Sequence, residues 1–422
     1  MPLKNYALAI VLLAGTTAVK AAETVVTPGL GTLAAAVAAA SNGDTLVLQE
    51  GGYDGDVSIG KSLNIRSEKP GVSARVYGDV TIDGTGIRVT LQGLSFAATV
   101  WLNQAAAIRL LENRWMGLGH LQAYLYKSSE GDGSLVVVGN RFAAGSSIVS
   151  INSDGAYIAG NELLNGQISA SSSAWIVGNK VSISNYSSAA IDAGGMTKSR
   201  ILANRARCYL GNGFCISATQ TDNLIAGNLV EVGLEQSAPG NVAQRGIYAG
   251  GIGQSIVLNN LIRAFPLPDG FVRSGAGIHV ESPSARVAGN IVLDWVSNSN
   301  TPIAVTSDRH DVSYNLCHNN SGNCPTGSGN LNADPLLVDL TDYSLNAGSP
   351  GIDAGPPDDG LADLNRTRND LGIHGGPWAI DQYDRQRASD NIAPFVYPLF
   401  ELGSNLSGSL LDIQALGVAR MR

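Results

Sequence analysis

Residues 136–142 read VVVGNRF, and close variants of this phrase recur along most of the chain. Nine copies align on one asparagine: RLLENRW, VVVGNRF, YIAGNEL, WIVGNKV, RILANRA, LIAGNLV, IVLNNLI, RVAGNIV and DVSYNLC. The aligned residues are Asn113, Asn140, Asn161, Asn179, Asn204, Asn228, Asn260, Asn290 and Asn315. Every copy has Leu, Val or Ile three positions before the asparagine, and an apolar residue or Cys two positions after it. The motif therefore indicates a structural repeat in which the same two positions face inward.

The spacing of the copies, 18 to 32 residues, indicates a solenoid or a propeller. Each repeat contains short β-prone runs and no stretch with helical periodicity, which argues against leucine-rich repeats. A propeller blade needs about 40 residues, and a hexapeptide helix keeps a strict period. Coils of variable length near 25 residues instead predict an all-β fold, a single-stranded right-handed parallel β-helix.

The asparagine has a physical role in such a coil. The chain must turn sharply between strands, and asparagine tolerates positive φ better than other residues except glycine. Stacked coils lie about 4.8 Å apart. We therefore expect each asparagine to occupy the positive-φ position of the turn and to hydrogen-bond to its equivalent in the next coil, as a ladder.

The N-terminal third extends the pattern without the asparagine, in short alternating strands such as DTLVLQEGGY and DVSIGKSLNIRS. These strands resemble the opening coils of secreted bacterial β-helix proteins of the pectate-lyase-like superfold. By that resemblance, residues 31–44, GTLAAAVAAASNGD, form the helix that caps the first coil. Residues 1–21 have a basic start, a short apolar run and small residues near the end, which is typical of a signal peptide. The β-helix domain is expected over residues 22–330, in a secreted, periplasmic or cell-surface protein without a membrane span after signal cleavage.

Residues 331–384 contain ADPLLVD, NAGSPGIDAG and NRTRNDLG. They resemble the choice-of-anchor Q module that closes many exported β-helix proteins, and the matching residues are Asp334, Pro335, Ser349, Pro350, Ile352, Asp353, Ala354, Gly355 and Asp370. The sequence LGIHGGPW departs from the IGAYE with which that module ends, so the terminal turn is expected to differ. The resemblance implies export and a C-terminal cap.

The position after the asparagine turns aliphatic in the last four copies, at Leu229, Leu261, Ile291 and Leu316. An outward apolar stripe of this kind needs a cover. The apolar, β-prone residues 385–422 are predicted to fold back over it. The alternative is that the stripe or the tail serves self-association or surface anchoring.

The distribution of charge along the chain limits the class of binding partner. The formal net charge is −8, but residues 196–290 contain eight Lys or Arg against five Asp or Glu. This middle region suits an anionic partner, whereas nucleic acid is not expected without a dense basic patch or a recognition motif.

The four cysteines form two close pairs, and two local disulfides, Cys208 with Cys215 and Cys317 with Cys324, are favoured over the other connectivities and over metal binding.

The candidate functional residues lie on the two coils with the longest insertions, a usual place for a solenoid's binding face. Arg207, Glu231 and Arg263 occupy the third position after the asparagine on successive coils, and the insertions add Arg245 and Arg273. These five are the predicted binding residues. Arginine pairs with carboxylates or sulfates in fork geometry. A surface salt-bridge ladder is the alternative for the stacked triplet.

Catalysis is a second hypothesis for the same face. Tyr248 or His279 is a candidate general base for a polysaccharide lyase, and Glu231 with Glu281 is a candidate carboxylate pair for a hydrolase. The motifs of polygalacturonases, pectate lyases and pectin methylesterases are absent from the sequence. The sequence therefore predicts binding of an acidic polysaccharide without proven catalysis, with a uronate-cleaving lyase as the alternative.

A calcium site is a further possibility, because lyases neutralise the sugar carboxylate with Ca²⁺ or Arg. The candidate oxygen ligands are Asp353, Asp358, Asp359, Asp363 and Asp370. They lack the spacing of a calcium-binding loop. Ordinary turn formation is the alternative for these aspartates, and any ion there is expected to be structural.

Overall fold

A computed structural model describes the chain over residues 21–69, 73–103, 107–117, 119–124, 135–151, 155–184, 189–195, 198–209, 211–219, 221–234, 240–307, 309–384, 395–399 and 414–418. The predicted signal peptide at residues 1–21 lies outside these residues except for its last position.

Nearly all described residues with regular structure belong to three parallel sheets, named A, B and C here. Sheet A comprises Glu23–Val26, Thr45–Leu48, Leu63–Ser67, Arg88–Gln92, Ala107–Leu111, Leu135–Val138, Ala156–Ala159, Ala174–Val177, Ser199–Leu202, Asn223–Ala226, Gln254–Leu258, Ser284–Ala288 and Asp311–Ser313. Sheet B comprises Gly29–Leu30, Gly51–Asp54, Ala74–Val76, Leu94–Phe96, Arg114–Trp115, Arg141–Phe142, Glu162–Leu164, Lys180–Ser184, Arg205–Tyr209, Leu229–Gly233, Leu261–Ala264, Ile291–Leu293, Leu316–His318 and Leu331–Asn332. Sheet C comprises Val57–Ile59, Val80–Asp83, Val100–Asn103, Leu121–Tyr124, Ile148–Ile151, Ile168–Ala170, Ile191–Ala193, Gly213–Ala218, Asn241–Ala249, Ile278–Val280 and Ile303–Val305, with Val272–Ser274 paired to its edge.

Each coil runs from sheet A to sheet B to sheet C and then returns to sheet A beside its own start. Parallel strands joined in this way by crossovers are right-handed. The protein is thus a right-handed parallel β-helix, as the repeat predicts. The core lies between the three sheets, because the residues three before and two after the repeated asparagine all point inward and are buried.

The repeated asparagines form the predicted ladder at the corner between sheets A and B. In the described coils, each asparagine Nδ2 donates to Oδ1 of the asparagine one coil further on, at 2.9–3.2 Å. The same Oδ1 also accepts from the backbone N–H of the earlier asparagine, at 2.8–3.1 Å. Asn330, which the repeat alignment does not include, ends the ladder below Asn315. The ladder therefore satisfies buried polar groups in every coil that it crosses.

The predicted backbone conformation of these asparagines is wrong. Positive φ occurs one residue earlier, at Glu112, Gly139, Gly160, Gly178, Ala203, Gly227, Asn259, Gly289, Tyr314 and Gly329. The turn is made before the asparagine because the asparagine side chain must enter the corner to reach its neighbours. This also explains why glycine so often precedes it, since glycine adopts positive φ without steric cost.

The N-terminal helix and the disulfides agree with the sequence. Helix α1, Thr32–Ala39, buries Leu33 and Val37 against the first coils. It covers the apolar end that an uncapped solenoid exposes. The bond between Cys208 and Cys215 links a strand of sheet B to the next strand of sheet C, and the bond between Cys317 and Cys324 closes the loop after the last full coil.

The aliphatic stripe is covered, although by a different segment from the predicted one. Its residues, Leu229, Leu261, Ile291 and Leu316, are 0–3 % exposed and pack with side chains from residues 331–384, among them Trp378, Ile380 and Leu371. The amide of Asn259 anchors this segment, donating to Asn369 Oδ1 at 2.9 Å and to the Asp370 carbonyl at 2.7 Å. The chain leaves the last coil beside the stripe, so the segment that follows directly reaches it first.

The tail at residues 385–422 lies largely outside the described residues. Its two described strands, Phe395–Leu399 and Gln414–Val418, pair with each other in antiparallel fashion. The predicted roles of the tail, in covering the rod, self-association or anchoring, stay predictions.

The packing of the C-terminal segment is expected to weaken as pH rises. His374 bonds through Nδ1 to Asp381 at 2.7 Å and through Nε2 to the Asp342 carbonyl at 2.8 Å. Burial alone lowers the pKa of His374, but these partners outweigh it and hold the pKa above its ordinary value. Because the pKa is raised in the folded state, the stabilisation is complete below the unfolded pKa and is lost as pH rises through the folded one.

The free energy of unfolding should therefore fall as pH rises above about 6.5 by more in the native protein than in His374→Gln, by up to about 1 kcal/mol. His318→Gln, at a half-exposed histidine with a distant Asp334 partner, is the matched control. Parallel pH profiles for the native protein and His374→Gln contradict this prediction.

Candidate functional site

The three stacked charges predicted at the third position after the asparagine do lie in register on sheet B. Arg207 pairs with Glu231, and Glu231 pairs with Arg263, on three successive coils. Arg207 Nη2 and Nε lie 2.6 and 2.8 Å from Glu231 Oε2. The Glu231 residue is 5 % exposed, whereas the Arg207 side chain is half exposed.

The covering segment occupies the rest of this triplet. Tyr343 Oη donates to Glu231 Oε1 at 2.8 Å, and Arg263 Nη1 donates to Tyr343 Oη at 3.3 Å. Arg263 also pairs with Asp294 Oδ2 at 3.1 Å. Burial raises the pKa of Tyr343 to about 12, so its hydroxyl stays protonated and can donate. Both oxygens of Glu231 are thereby engaged, and the triplet joins the β-helix to residues 331–384.

A second group of polar side chains lies on the outward face of sheet C. Tyr248 and His279 are direct register partners on successive coils, with ring centroids 5.8 Å apart. Glu281 joins them: Tyr248 Oη donates to its Oε2 at 2.6 Å, and His279 Nε2 lies 2.9 Å from its Oε1. Arg245 Nε donates to His279 Nδ1 at 3.1 Å. Phe214, one coil earlier, packs against Tyr248 with centroids 4.5 Å apart and lies 5.2 Å beneath the Arg245 guanidinium. These five residues are called the sheet C cluster below.

The protonation states in the sheet C cluster follow from its contacts. Burial and the Arg245 charge lower the pKa of His279, so the ring is neutral near pH 7. Its Nδ1 accepts from Arg245, which assigns the ring proton to Nε2, on the side of Glu281. The Tyr248 hydrogen bond, followed by the neighbouring His279, lowers the pKa of Glu281. Burial and Glu281 raise the pKa of Tyr248 to about 12.

The sheet C cluster thus brings several chemically different groups together. It presents an aromatic surface, one guanidinium, one carboxylate, a neutral imidazole and a protonated phenol on adjacent coils. An arginine can pair with a carboxylate, and a neutral imidazole can accept a proton.

The remaining predicted residues fall elsewhere. Arg273 is 2 % exposed and lies behind the surface, with Nε donating to Gln244 Oε1 at 2.9 Å. Glu231 and Glu281 lie on the outward faces of different sheets and share no hydrogen-bond partner. The described contacts do not join the two carboxylates, and the pair considered for a hydrolase stays a prediction.

Three of the aspartates considered for calcium, Asp358, Asp363 and Asp370, accept hydrogen bonds from backbone N–H groups. Asp363 accepts from Asp370 and Gly376, Asp370 accepts from Asp353, and Asp358 caps the 3-10 helix Asp359–Leu361 and pairs with Arg286. Within the described ranges, no three or more His, Cys, Asp or Glu side chains converge as metal ligands. These contacts fit the turn-forming alternative.

Sequence reasoning missed Phe214, Tyr343 and Asp294. The only signal for Phe214 is its place immediately before Cys215 in a strand that leads into the first insertion. Tyr343 lies over a hundred residues from Glu231 in the chain, and no local pattern connects them.

Comparisons with known proteins assign no family to this chain. No family model matches the chain, and no curated protein matches its sequence. Among solved structures, pectate lyase Pel9A is similar with a TM-score of 0.38 and 14 % identity, over 83 % of this chain and 96 % of that one. The PL6 family alginate lyase AlyGC is similar with a TM-score of 0.37 and 11 % identity, over 85 % of this chain and 58 % of that one. A mannuronic acid-specific family 6 lyase from human gut microbiota is similar with a TM-score of 0.33 and 15 % identity, over 74 % of this chain and 78 % of that one. The assignment as a parallel β-helix rests on the strand pairing of this chain itself.

Two expectations are not decided by these findings. Export and the choice-of-anchor Q resemblance stay predictions.

No helix in the described part of the chain has the length and apolar character needed to cross a bilayer.

Proposed function

We propose that this β-helix binds an acidic polysaccharide across the outward face of sheet C, at the sheet C cluster. The observation that carries the proposal is the convergence of Arg245, Tyr248 and His279 on neighbouring coils. None of the three is fully buried, so a ligand lying on the sheet can reach them.

The charges and surfaces of the cluster favour an acidic sugar over a neutral one. The Nε of Arg245 donates to a neutral imidazole rather than to a carboxylate. A uronate carboxylate offers it a stronger, charge-assisted partner. Phe214 and Tyr248 supply adjacent ring faces at a centroid distance of 4.5 Å, on which the apolar face of a sugar ring can pack. The surplus of basic residues in 196–290 acts in the same direction at longer range.

Removing the Arg245 charge is expected to weaken binding of polygalacturonate about tenfold. The reason is the loss of one charge-assisted hydrogen bond, about 1.5–3 kcal/mol. Affinity electrophoresis or calorimetry of Arg245→Gln measures the effect. Arg75→Gln, at an exposed arginine on an early strand of sheet B, removes the same charge far from the cluster and is expected to bind normally. Equal affinities for the two variants, or equal binding of a neutral polymer, contradict the proposal.

A second candidate function, a uronate lyase, is favoured by the protonation pattern. In β-elimination a base takes the proton next to the carboxylate, the electron pair forms a carbon–carbon double bond, and the glycosidic oxygen leaves with a proton. His279 is neutral and suits the base. Its Nδ1 is occupied by Arg245, and a substrate carboxylate that attracts Arg245 frees that nitrogen. The protonated Tyr248 hydroxyl suits the proton donor.

The lyase candidate is tested by following the ultraviolet absorbance of unsaturated sugar with polygalacturonate and alginate, with and without Ca²⁺. Loss of a general base or acid costs about 10²–10⁴-fold in rate. His279→Asn and Tyr248→Phe should each lower the rate within that range. Because the pKa of His279 is lowered, activity should persist below the ordinary histidine pKa of about 6.5. If the polymer binds and no unsaturated product forms, the lyase candidate is rejected and the non-catalytic proposal is retained.

A further inference from the structure

A cavity of about 730 Å³ lies at the corner between sheets B and C, apart from the sheet C cluster. One wall is the loop that follows the sheet B strand Leu261–Ala264, and the other is formed by residues 294–298 with two residues of the last loop. The lining side chains are Arg263, Pro266, Leu267, Phe271, Val272, Arg273, Asp294, Val296, Ser297, Asn298, Asn319 and Ser321. Cavities of this volume accommodate ligands of one or two sugar rings.

Arg273 places a buried positive charge against this cavity. Its Nε donates to Gln244 Oε1 at 2.9 Å, its Nη2 to the Phe265 carbonyl at 3.0 Å and its Nη1 to the Val296 carbonyl at 3.4 Å. All three acceptors are neutral. The guanidinium lies over the Trp295 ring, 5.1 Å from its centroid. A guanidinium has five N–H donors, and the contacts within the described part of the chain use three of them, which leaves two for a ligand.

The desolvation of Arg273 is not offset by a carboxylate among the described residues. Burial lowers the pKa of Arg273 to about 10. A buried cation without an ionic partner is costly, and an anion that enters the cavity compensates the cost. The other charges at the cavity are already matched: Asp294 Oδ2 accepts from Arg263 at 3.1 Å, and its Oδ1 accepts from Asn319 at 2.7 Å. Among the described residues, Arg273 is therefore the one charged side chain at the cavity without an ionic partner.

The walls of the cavity are held in place by hydrogen bonds within the protein. Trp295 N donates to Asn320 Oδ1 at 2.7 Å, and Ser297 N donates to Ser321 Oγ at 2.8 Å. Trp295 Nε1 donates to the Gly275 carbonyl at 2.9 Å. On the opposite wall, Phe271 N bonds to the Pro268 carbonyl at 3.2 Å. A preformed site of this kind loses little entropy when a ligand binds.

We propose that this cavity is a binding site for a small carboxylate the size of an acidic mono- or disaccharide, with its carboxylate on Arg273 and its apolar face against Phe271, Val272 and Val296. The site is distinct from the sheet C cluster and does not require it.

The test uses digalacturonic acid as the probe and calorimetry on the full chain. All variants carry Arg245→Gln, so that the sheet C cluster contributes little. Val296 is 61 % exposed at the mouth, so it can be replaced without disturbing the core. Val296→Glu places a negative charge at the entrance, and Val296→Gln is the matched neutral control. We expect the glutamate variant to bind the probe at least tenfold more weakly than the glutamine variant.

Two further outcomes test the proposal. A neutral disaccharide should bind at least tenfold more weakly than digalacturonic acid, and Arg273→Gln should abolish acid binding while circular dichroism reports an intact fold. If Arg273→Gln does not fold, the Val296 pair still decides. Equal affinities of the two Val296 variants, or no binding of the acid at millimolar concentration in the Arg245→Gln chain, overturn the proposal. A failure of Arg245→Gln to weaken polygalacturonate binding instead rejects the sheet C proposal, so the two failures are separable.

Discussion

Replacing Asn204 with alanine is expected to lower the free energy of unfolding by about 4 kcal/mol. Asn204 lies in the middle of the ladder and is fully buried. Its Oδ1 accepts from the backbone N–H and Nδ2 of Asn179 at 2.9 and 3.0 Å, and its Nδ2 donates to the Ile176 carbonyl at 2.8 Å. Alanine leaves these groups buried without partners, and each such group costs about 1–3 kcal/mol. Denaturant unfolding followed by circular dichroism measures the loss.

Asn64→Ala provides the control for this prediction. Asn64 occupies an exposed position in the strand Leu63–Ser67 of sheet A, so the same substitution removes no buried hydrogen bond. Its effect should stay within about 0.5 kcal/mol. If Asn204→Ala proves equally mild, the ladder is not a source of stability and its buried amides must be satisfied in another way.

Replacing Trp378 with alanine is expected to destabilise the C-terminal segment by about 3–5 kcal/mol. Trp378 is 1 % exposed and packs with the aliphatic stripe, and its carbonyl lies against Gly227 so closely that no side chain fits there. The β-helix has a separate core between its three sheets. We therefore expect the segment at 331–384 to become sensitive to protease while the β-helix keeps its far-ultraviolet circular dichroism.

Trp101→Ala is the matched control, because Trp101 lies half-buried on the outward face of sheet C and bonds to Asp79 at 3.2 Å. It should leave the protease sensitivity of residues 331–384 unchanged. Loss of the whole fold in Trp378→Ala shows that the stripe and its cover belong to one cooperative unit with the β-helix. An unchanged digestion pattern shows that the cover does not depend on this side chain.

The candidate site was predictable to the extent that it depends on register. Arg207, Glu231 and Arg263 hold the same position in successive repeats, so the period of the coil alone brings their side chains into contact. Tyr248 and His279 come from the two long insertions and are also register partners. What the sequence does not show is that Glu231 is engaged by Tyr343, because that contact joins distant parts of the chain that share no repeat.

The sequence by itself determined the parallel β-helix, the asparagine ladder, the capping helix and both disulfides. The β-helix and the ladder depend on a short pattern that recurs, and stacking in register converts each recurrence into the same contact. The capping helix came from a family resemblance, and the disulfides came from the close spacing of the cysteines. Only the tertiary structure decided which segment covers the stripe, that positive φ precedes the ladder asparagine, and that Arg273 faces a cavity from behind the surface. The first and third outcomes depend on which non-repeated segments reach a given face of the coil and on how buried charges are matched there, and a periodic pattern contains no information about either. The second depends on the asparagine side chain entering the corner to reach its neighbours, which is a contact between coils.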